Sequence, residues 1–491
     1  MKQHYFFIAL IIIPTIIISG CEEPHETGLS DVDIHLQPYT ENPFYWQING
    51  EPVLLVGASD YHNIFQRPDL VEHLEILHSV GGNYVRNTMA SREILPGHRD
   101  HWPYDVDWEA STLPHQTRDP LVVVYDLERW NDAYWDNFEL MLQTTADFNM
   151  IVEIEIWERH DKYRTRDQAG WERHPYNPDN NINYTTEESG LPTGEWTEDP
   201  GHPFFATVPA LENNVLVLQY QRAFVDKILS HTFQYTHVLY NMNNETKESN
   251  EWGEYWAEYI LLRAEEEDVE IHITDMQDAH DITDESVIRM AESALYTFVD
   301  ISQNNFQSGD THWERIQFIR DLIVDEPKPI TTVKIYGADG APAPVDFWGT
   351  TQDGIERFWR NIIGGVSAVR FHRPPWGIGL SETAQAHVRS AGMFAERMDI
   401  FSAEPRLDLL AERETNSAWL MANPGVQYAV YFSHEGRVGI TVDEGTELTL
   451  EWLDLESSRW QEGEMIQSDG VISLSTPTDG HWIALLTAAN N

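Results

Sequence analysis

The sequence predicts an α/β protein: a (β/α)8 barrel of the TIM type followed by a small antiparallel β-sandwich. Three observations predict it. Between about residue 50 and about residue 400, short apolar runs alternate with longer segments of helical spacing. No Gly-rich phosphate loop follows the first run, which disfavours a doubly wound open sheet. After about Pro405 the texture changes to short alternating runs separated by turn residues.

The folded part opens on "FYWQINGEPVLLVGASDYH", where Asn49-Gly50 is a two-residue hairpin turn. Val53 to Val56 is a continuous apolar run, as a strand buried on both faces requires. "DLVEHLEILHSVGG" has helical spacing through Leu70, Leu74 and Leu77 and ends in glycines, and "NYVRNTM" is the next strand. The alternation continues with a helix in "ERWNDAYWDNFELMLQTTADFN", a strand in "MIVEIEIW", a helix in "ENNVLVLQYQRAFVDKIL" and a strand in "THVLYNMNN". "EWGEYWAEYILLRAEEE" reads as helix, then "VEIHITD" and "TFVDIS" as strands. "THWERIQFIRDLI" is helix, "KPITTVKIYG" strand, "TTQDGIERFWRNIIGG" helix, "VSAVRFH" strand, and "SETAQAHVRSAGMFAERMDIF" the last helix. The boundaries expected from this reading are a barrel over 37–404 and a sandwich over 405–491.

The N-terminus has a different character. "MKQHYFFIALIIIPTIIISGC" places Lys2 before an apolar run from Tyr5 to Ile18, too short for an ordinary membrane span. The run ends in Ile18-Ser19-Gly20-Cys21, which resembles a bacterial lipobox. Residues 1–20 then read as a lipoprotein signal peptide, Cys21 as the lipidated residue, and 21–36 as an acidic tether. The expected location is the bacterial cell envelope, held by a lipid anchor, with the protein acting as a monomer. Cys21 is the single cysteine, so no intrachain disulfide and no multi-cysteine zinc site can form. With 81 acidic against 31 basic residues, the net charge is -50. That excludes nucleic acid as a natural partner, because phosphate backbones are bound through clustered Lys and Arg. It fits a saline environment, where salt screens self-repulsion.

In a barrel of this type, chemistry sits at the C-terminal ends of the strands. The residues falling there are Asp60, Tyr61 and His62 after the first strand, and Arg86 and Asn87 after the second. Trp157, Glu158, Arg159, His160 and Asp161 follow the third, and Asn243, Asn244 and Glu245 the fourth. Asp275 ends the fifth, Gln303 and Asn304 the sixth, Lys334 and Tyr336 the seventh, and His372, Arg373 and Trp376 the eighth. Carboxylates, amides, imidazoles and tryptophans together suit a polyhydroxylated ligand. Trp157 and Trp376 are expected to face the cleft as sugar platforms, while Trp135 and Trp256, on helices, are expected in the core. "ERHDKYR" and "HPYNPDNN" lack a tight metal-ligand spacing, so neither metal nor cofactor is expected.

The Asn244-Glu245 pair ending strand four resembles the clan A glycoside hydrolases. That resemblance implies Glu245 as general acid/base and Asn244 as a partner of the sugar 2-hydroxyl. More narrowly, "INGEPVLLVGASDYH" and "YAVYF…LEWLDLESSRW…DGHWIALL" resemble barrel proteins of a domain-of-unknown-function family with a C-terminal domain labelled collagen-binding. Nothing in these residues selects collagen, and a sandwich that stabilises the barrel is the expectation. The family's pattern breaks at strand seven. A retaining mechanism needs a second carboxylate about 5 Å from the acid/base. Here "KPITTVKIYG" puts Lys334 where the resemblance implies a nucleophilic Glu. Glu158, Asp161, Asp275 or Asp339 remain as substitutes. The alternatives are a uronate lyase or dehydratase using Lys334, Tyr336, His372, Arg373 and Arg86, or a noncatalytic glycan-binding lipoprotein. The expected substrate is a carbohydrate, with an anionic one fitting the basic residues.

Overall fold

The computed structural model describes residues 34–89, 102–112, 123–163, 170–342, 345–414 and 417–489. The stretch expected to be a signal peptide, Cys21 and the expected tether up to residue 33 lie outside the described residues. The barrel strands are β1 (Leu55–Ala58), β2 (Tyr84–Thr88), β3 (Ile151–Glu158), β4 (Val238–Asn244), β5 (His272–Thr274), β6 (Val299–Asp300), β7 (Ile330–Ile335) and β8 (Ala368–Phe371). They pair in parallel in the order β5–β4–β3–β2–β1–β8–β7–β6. The remaining gap is bridged where Thr297, just before β6, donates its backbone N–H to the Ile273 carbonyl of β5 at 2.9 Å. The result is a nearly closed eight-stranded barrel.

Among the described residues, each strand is followed by one helix longer than a single turn: α1 (Leu70–Ser79), α2 (Asp132–Asp147), α3 (Val215–Thr232), α4 (Asn250–Glu267), α5 (Glu285–Glu292), α6 (Gly309–Leu322), α7 (Thr351–Ile363) and α8 (Glu382–Ala395). Four of these starts are capped by a side chain, from Asn214, Asp284, Thr350 and Ser381. The Thr350 side chain accepts from the Asp353 N–H and the Asp353 side chain accepts in return at the head of α7. Two elements differ from the sequence reading. The helix expected from Glu128 begins only at Asp132, because Tyr125–Trp130 is a strand in a hairpin with Tyr104–Val106. The unforeseen α5 buries only Val287, Met290 and Ala291, too few apolar positions to register as a period.

The barrel floor is closed by the N-terminal hairpin. Trp46–Ile48 and Glu51–Val53 turn through Asn49 and Gly50, whose φ angles of 54° and 89° are what an Asn-Gly turn of this class demands. Trp46 inserts among Leu55, Tyr84, Ile151, Leu239, Phe298, Val333 and Ala368. Ile34 and Leu36 are buried there as well, so the folded region starts earlier than residue 37. Above this apolar layer the interior becomes ionic. Tyr84 donates to Glu153 and Arg86 makes a two-pronged contact with Glu155, all four fully buried.

The C-terminal region carries two antiparallel sheets. The larger one begins at Glu404–Pro405 and includes Ala418–Asn423, Gln427–Phe432, Glu447–Asp454 and Trp482–Ala488. Strand alternation divides its two faces. Leu420, Val430, Phe432 and Ala484 form the sandwich's own core, while Trp419, Met421, Tyr431 and Ile483 join the barrel core. There Tyr431 stacks on Trp359 of α7 with centroids 6.1 Å apart, and the Arg360 guanidinium lies 4.8 Å from the Trp419 ring centroid.

Candidate active site

The mouth of the barrel is shaped by a slip in the in–out alternation of three strands. On β3, Glu153 and Glu155 point inward, yet so does Glu158, three residues further on. On β4, Asn241 and Asn244 are inward, while Asn243 turns outward to Asp275 and the Trp252 indole of α4. On β7 the pairing register with β8 is irregular between Thr332 and Ile335. That irregularity lets Lys334 and Tyr336 share the interior with Val333.

These slips converge on Glu245. Its backbone has φ 57°, a left-handed conformation that is uncommon for a Glu and that Asn49, Asn149, Asn213, Asp268, Glu412 and Ser458 share among the described residues. The turn lets Thr246 bond onward to the β5 extension, its N–H donating to Met276 O at 2.9 Å. The carboxylate is then held back over the mouth by four donors. Oε1 accepts from Lys334 Nζ at 2.8 Å, Tyr336 OH at 2.7 Å and Gln303 Nε2 at 3.2 Å. Oε2 accepts from His160 Nε2 at 2.7 Å. Burial pushes the Glu245 carboxyl up, but Lys334, His160 and Arg159 outweigh it and hold it well below the usual carboxylate range. Burial raises the Tyr336 phenol, and the adjacent Glu245 carboxylate raises it further, so Tyr336 keeps its proton as a donor.

Asn244 is equally constrained. Its Oδ1 accepts from Arg86 at 3.0 Å and from Lys334, and its Nδ2 donates to Glu158. Glu158 in turn accepts from the His160 backbone N–H at 2.8 Å. Arg86 also reaches His62 Nδ1 at 2.9 Å, and the His62 ring packs edge-on to His372, which packs on Tyr336. Burial, with Arg86 and Arg373 close by, drives the His372 imidazole well below its ordinary range, leaving it neutral. Gln303, Glu158, Arg86, His62, His372, Lys334, Tyr336 and Asn244 therefore stand in one connected group around Glu245. Trp376 is half-buried beside Arg373, whose guanidinium lies 4.5 Å from its ring centroid, and Trp348 lies 6.1 Å away. Trp348, Phe347 and Phe306 form an aromatic wall against Tyr336 that the sequence reading did not single out. His160, named only as a strand-end residue, is the other missed contact.

Four expected site residues stand elsewhere. Trp157 does not face the cleft: the β3 slip turns it into the helix layer among Phe204, Phe224, Trp252 and Trp256. It borders a cavity of about 20 Å3, room for one water. Asn87 alternates outward from Arg86 and donates to Thr88 O and Met89 Sδ. Asp275 lies behind β5, accepting from Asn243 at 2.7 Å and from Gln277 at 3.1 Å, and burial raises it to about 6. Asp60 uses Oδ1 to accept the Leu380 N–H at 2.8 Å and so ties the loop after β8. Of the substitute nucleophiles, Asp161 is paired with Lys162 at 2.6 Å, and Asp339 is exposed at the head of α7. Glu158 alone among the four reaches the Asn244–Glu245 group. Trp135 and Trp256 are buried, as helix tryptophans should be.

No protein-family model matches the chain, and no curated protein does. Solved structures match it over nearly its full length. A structure described as a glycoside hydrolase aligns with TM-score 0.61 at 10% identity, covering 93% of this chain and 97% of its own. A glycoside hydrolase family 5 protein from Bacteroides vulgatus aligns with TM-score 0.61 at 11% identity over 93% of each chain. A further protein from that organism, proposed to be a glycoside hydrolase, aligns with TM-score 0.64 at 11% identity, over 94% of this chain and 83% of its own. The chain therefore has the fold of the glycoside hydrolases: a TIM-like parallel barrel followed by an antiparallel C-terminal region.

Proposed function

We propose that this protein is a carbohydrate-active enzyme that cleaves glycosidic bonds at the mouth of the barrel, with the Glu245 carboxylate at the centre of its proton transfer. The single observation that carries the reading is the four-donor grip on Glu245, a strained residue at the end of β4 in a glycoside hydrolase fold. Structural carboxylates are seldom held in left-handed backbone with four partners and part of the side chain still open to solvent. Trp376 and Trp348 supply apolar faces for sugar rings.

A second reading has its own support. Lys334 and Tyr336 meet on one oxygen of Glu245, and Glu158 is the one substitute carboxylate in the group. A cation that neutralises a uronate, next to a proton-holding phenol, suits elimination from an acidic sugar. Lys334 in the place of a strand-seven nucleophile belongs to either reading. Anchorage by a lipid at Cys21, in the bacterial envelope, and a stabilising role for the sandwich complete the proposal.

The test is product analysis on neutral and uronate polysaccharides with wild type and Glu245→Gln. New reducing ends without unsaturated products support hydrolysis, and an ultraviolet-absorbing unsaturated uronate supports elimination. Glu245→Gln abolishes either. Full turnover in that variant, or binding without any product in wild type, overturns the enzymatic reading.

A further inference from the structure

Glu245 is surrounded on the barrel side by buried groups that are each bonded to a further partner. Lys334, with 1% of its side chain exposed, is fixed to Asn244 as well as to Glu245. Asn244 is fixed by Arg86 and Glu158, and Arg86 by Glu155. Tyr336 is buried and packed on His372 and Phe306. A carboxylate beside a buried ammonium is a poor proton donor, because protonating it would strand the Lys334 charge. His160, with 18% of its side chain exposed, is a titratable partner of Glu245 and contacts it through Nε2.

We propose that His160 is the residue that exchanges protons with the sugar, and that Glu245 positions it, as a carboxylate orients an imidazole. The inference rests on the reading of the site as carbohydrate-active. On the hydrolytic route, the His160 imidazolium gives its proton to the glycosidic oxygen as the bond to the anomeric carbon breaks. The imidazole then recovers a proton from the water whose hydroxyl adds to that carbon. Glu245 stays ionised throughout and stabilises the imidazolium. The charge environment suits this role. Glu158 receives the His160 backbone N–H, while Arg159 in the same segment is taken up by Asp278 at 2.7 Å and Asp199 at 3.6 Å. Lys247 turns to the same two aspartates, and Lys162 to Asp161. Glu245 Oε2 receives the His160 ring, and Glu158 receives its backbone N–H.

The experiment takes the polysaccharide that wild type degrades fastest and compares wild type, His160→Gln and His160→Ala. His160→Gln lowers kcat by about 10²- to 10⁴-fold with KM changed only a few-fold, the usual share of general acid–base catalysis. It also loses the alkaline limb of the wild-type kcat/KM profile. Added imidazole restores part of the rate to His160→Ala, which a merely structural histidine would not allow. A His160→Gln variant with wild-type kcat and an unchanged pH profile overturns the inference while leaving the carbohydrate reading intact. Absence of turnover by wild type overturns both.

Discussion

Replacing Lys334 by Met removes the charge at the heart of the site and keeps the aliphatic stem that fills the barrel. The loss can be worked from the contacts. Lys334 Nζ touches Glu245 Oε1 at 2.8 Å and also Asn244 Oδ1, with side-chain exposures of 1% for Lys334 and 13% for Glu245. Breaking a buried ion pair from one side costs about 3–5 kcal/mol, because the partner charge is left uncompensated. Glu245 keeps Tyr336, Gln303 and His160, so the lower end, about 3 kcal/mol, applies at neutral pH. The pH dependence follows from the direction of the Glu245 shift. A carboxyl held below its unfolded value adds stability that is present above the unfolded-chain pKa and is lost as pH falls through the folded one. In wild type the folded value lies well below 4.5. Without Lys334 the carboxyl protonates at higher pH, which relieves the variant. Between the two folded midpoints the stability gap narrows by about 1.4 kcal/mol for each unit of falling pH. Urea unfolding followed by tryptophan fluorescence at about pH 7.5 and about pH 4 measures both gaps. A gap below about 1 kcal/mol at the higher pH, or an equal gap at both, refutes the ion-pair reasoning.

The same Lys334→Met variant should lose binding of uronate oligosaccharides more than of neutral ones, by calorimetric titration; an equal loss excludes Lys334 as an anion contact. Burial raises Glu153 to about 7, and its donors Tyr84 and Asn241 only partly offset this. A carboxyl raised on folding destabilises increasingly as pH rises from its unfolded value through its folded one, so Glu153→Gln should remove up to about 3 kcal/mol of stability loss between about pH 4.5 and pH 7, measured as the slope of unfolding free energy with pH. Trp419→Ala should cost about 3–5 kcal/mol and split one calorimetric transition into two, since Trp419 lies between Arg360 of α7 and Arg413; a single unshifted transition would show that the sandwich is held to the barrel by other contacts.

Much of the fold was legible because its signals are local. Apolar runs of strand length, helical spacing and an Asn-Gly turn each report on a few neighbouring residues, and all eight barrel strands overlap the runs expected of them, with β1 and β3 extending past the C-terminal ends of theirs. What was missed was weak by the same measure: α5 has three buried apolar residues, and the hairpin of Tyr104–Val106 with Tyr125–Trp130 spans a long insertion.

The site was legible in kind but not in facing. Strict alternation from Glu153 and Glu155 would put Trp157 inward and Glu158 outward, and the structure has the reverse. The slip brings a carboxylate to Asn244 and gives the tryptophan to the helix layer, where Trp252 and Trp256 fill the space beside it. The matching slip on β4 sends Asn243 to Asp275 and frees Asn244 for Arg86 and Lys334. Because β3 and β4 are paired from Val152↔Val238 to Glu158↔Asn244, neither strand could change facing without the other. The paired slip also alters what Glu245 requires of a substitution. From sequence, Glu245→Gln is expected to leave stability nearly unchanged, as a cleft carboxylate would. With Lys334 buried against it, the variant leaves an ammonium with Asn244 and one amide oxygen, and a loss of about 1–3 kcal/mol is the expectation from the contacts. A Glu245→Gln protein as stable as wild type would mean that Lys334 is satisfied by Asn244 alone, and Glu245 would then be held by its hydrogen bonds rather than by charge.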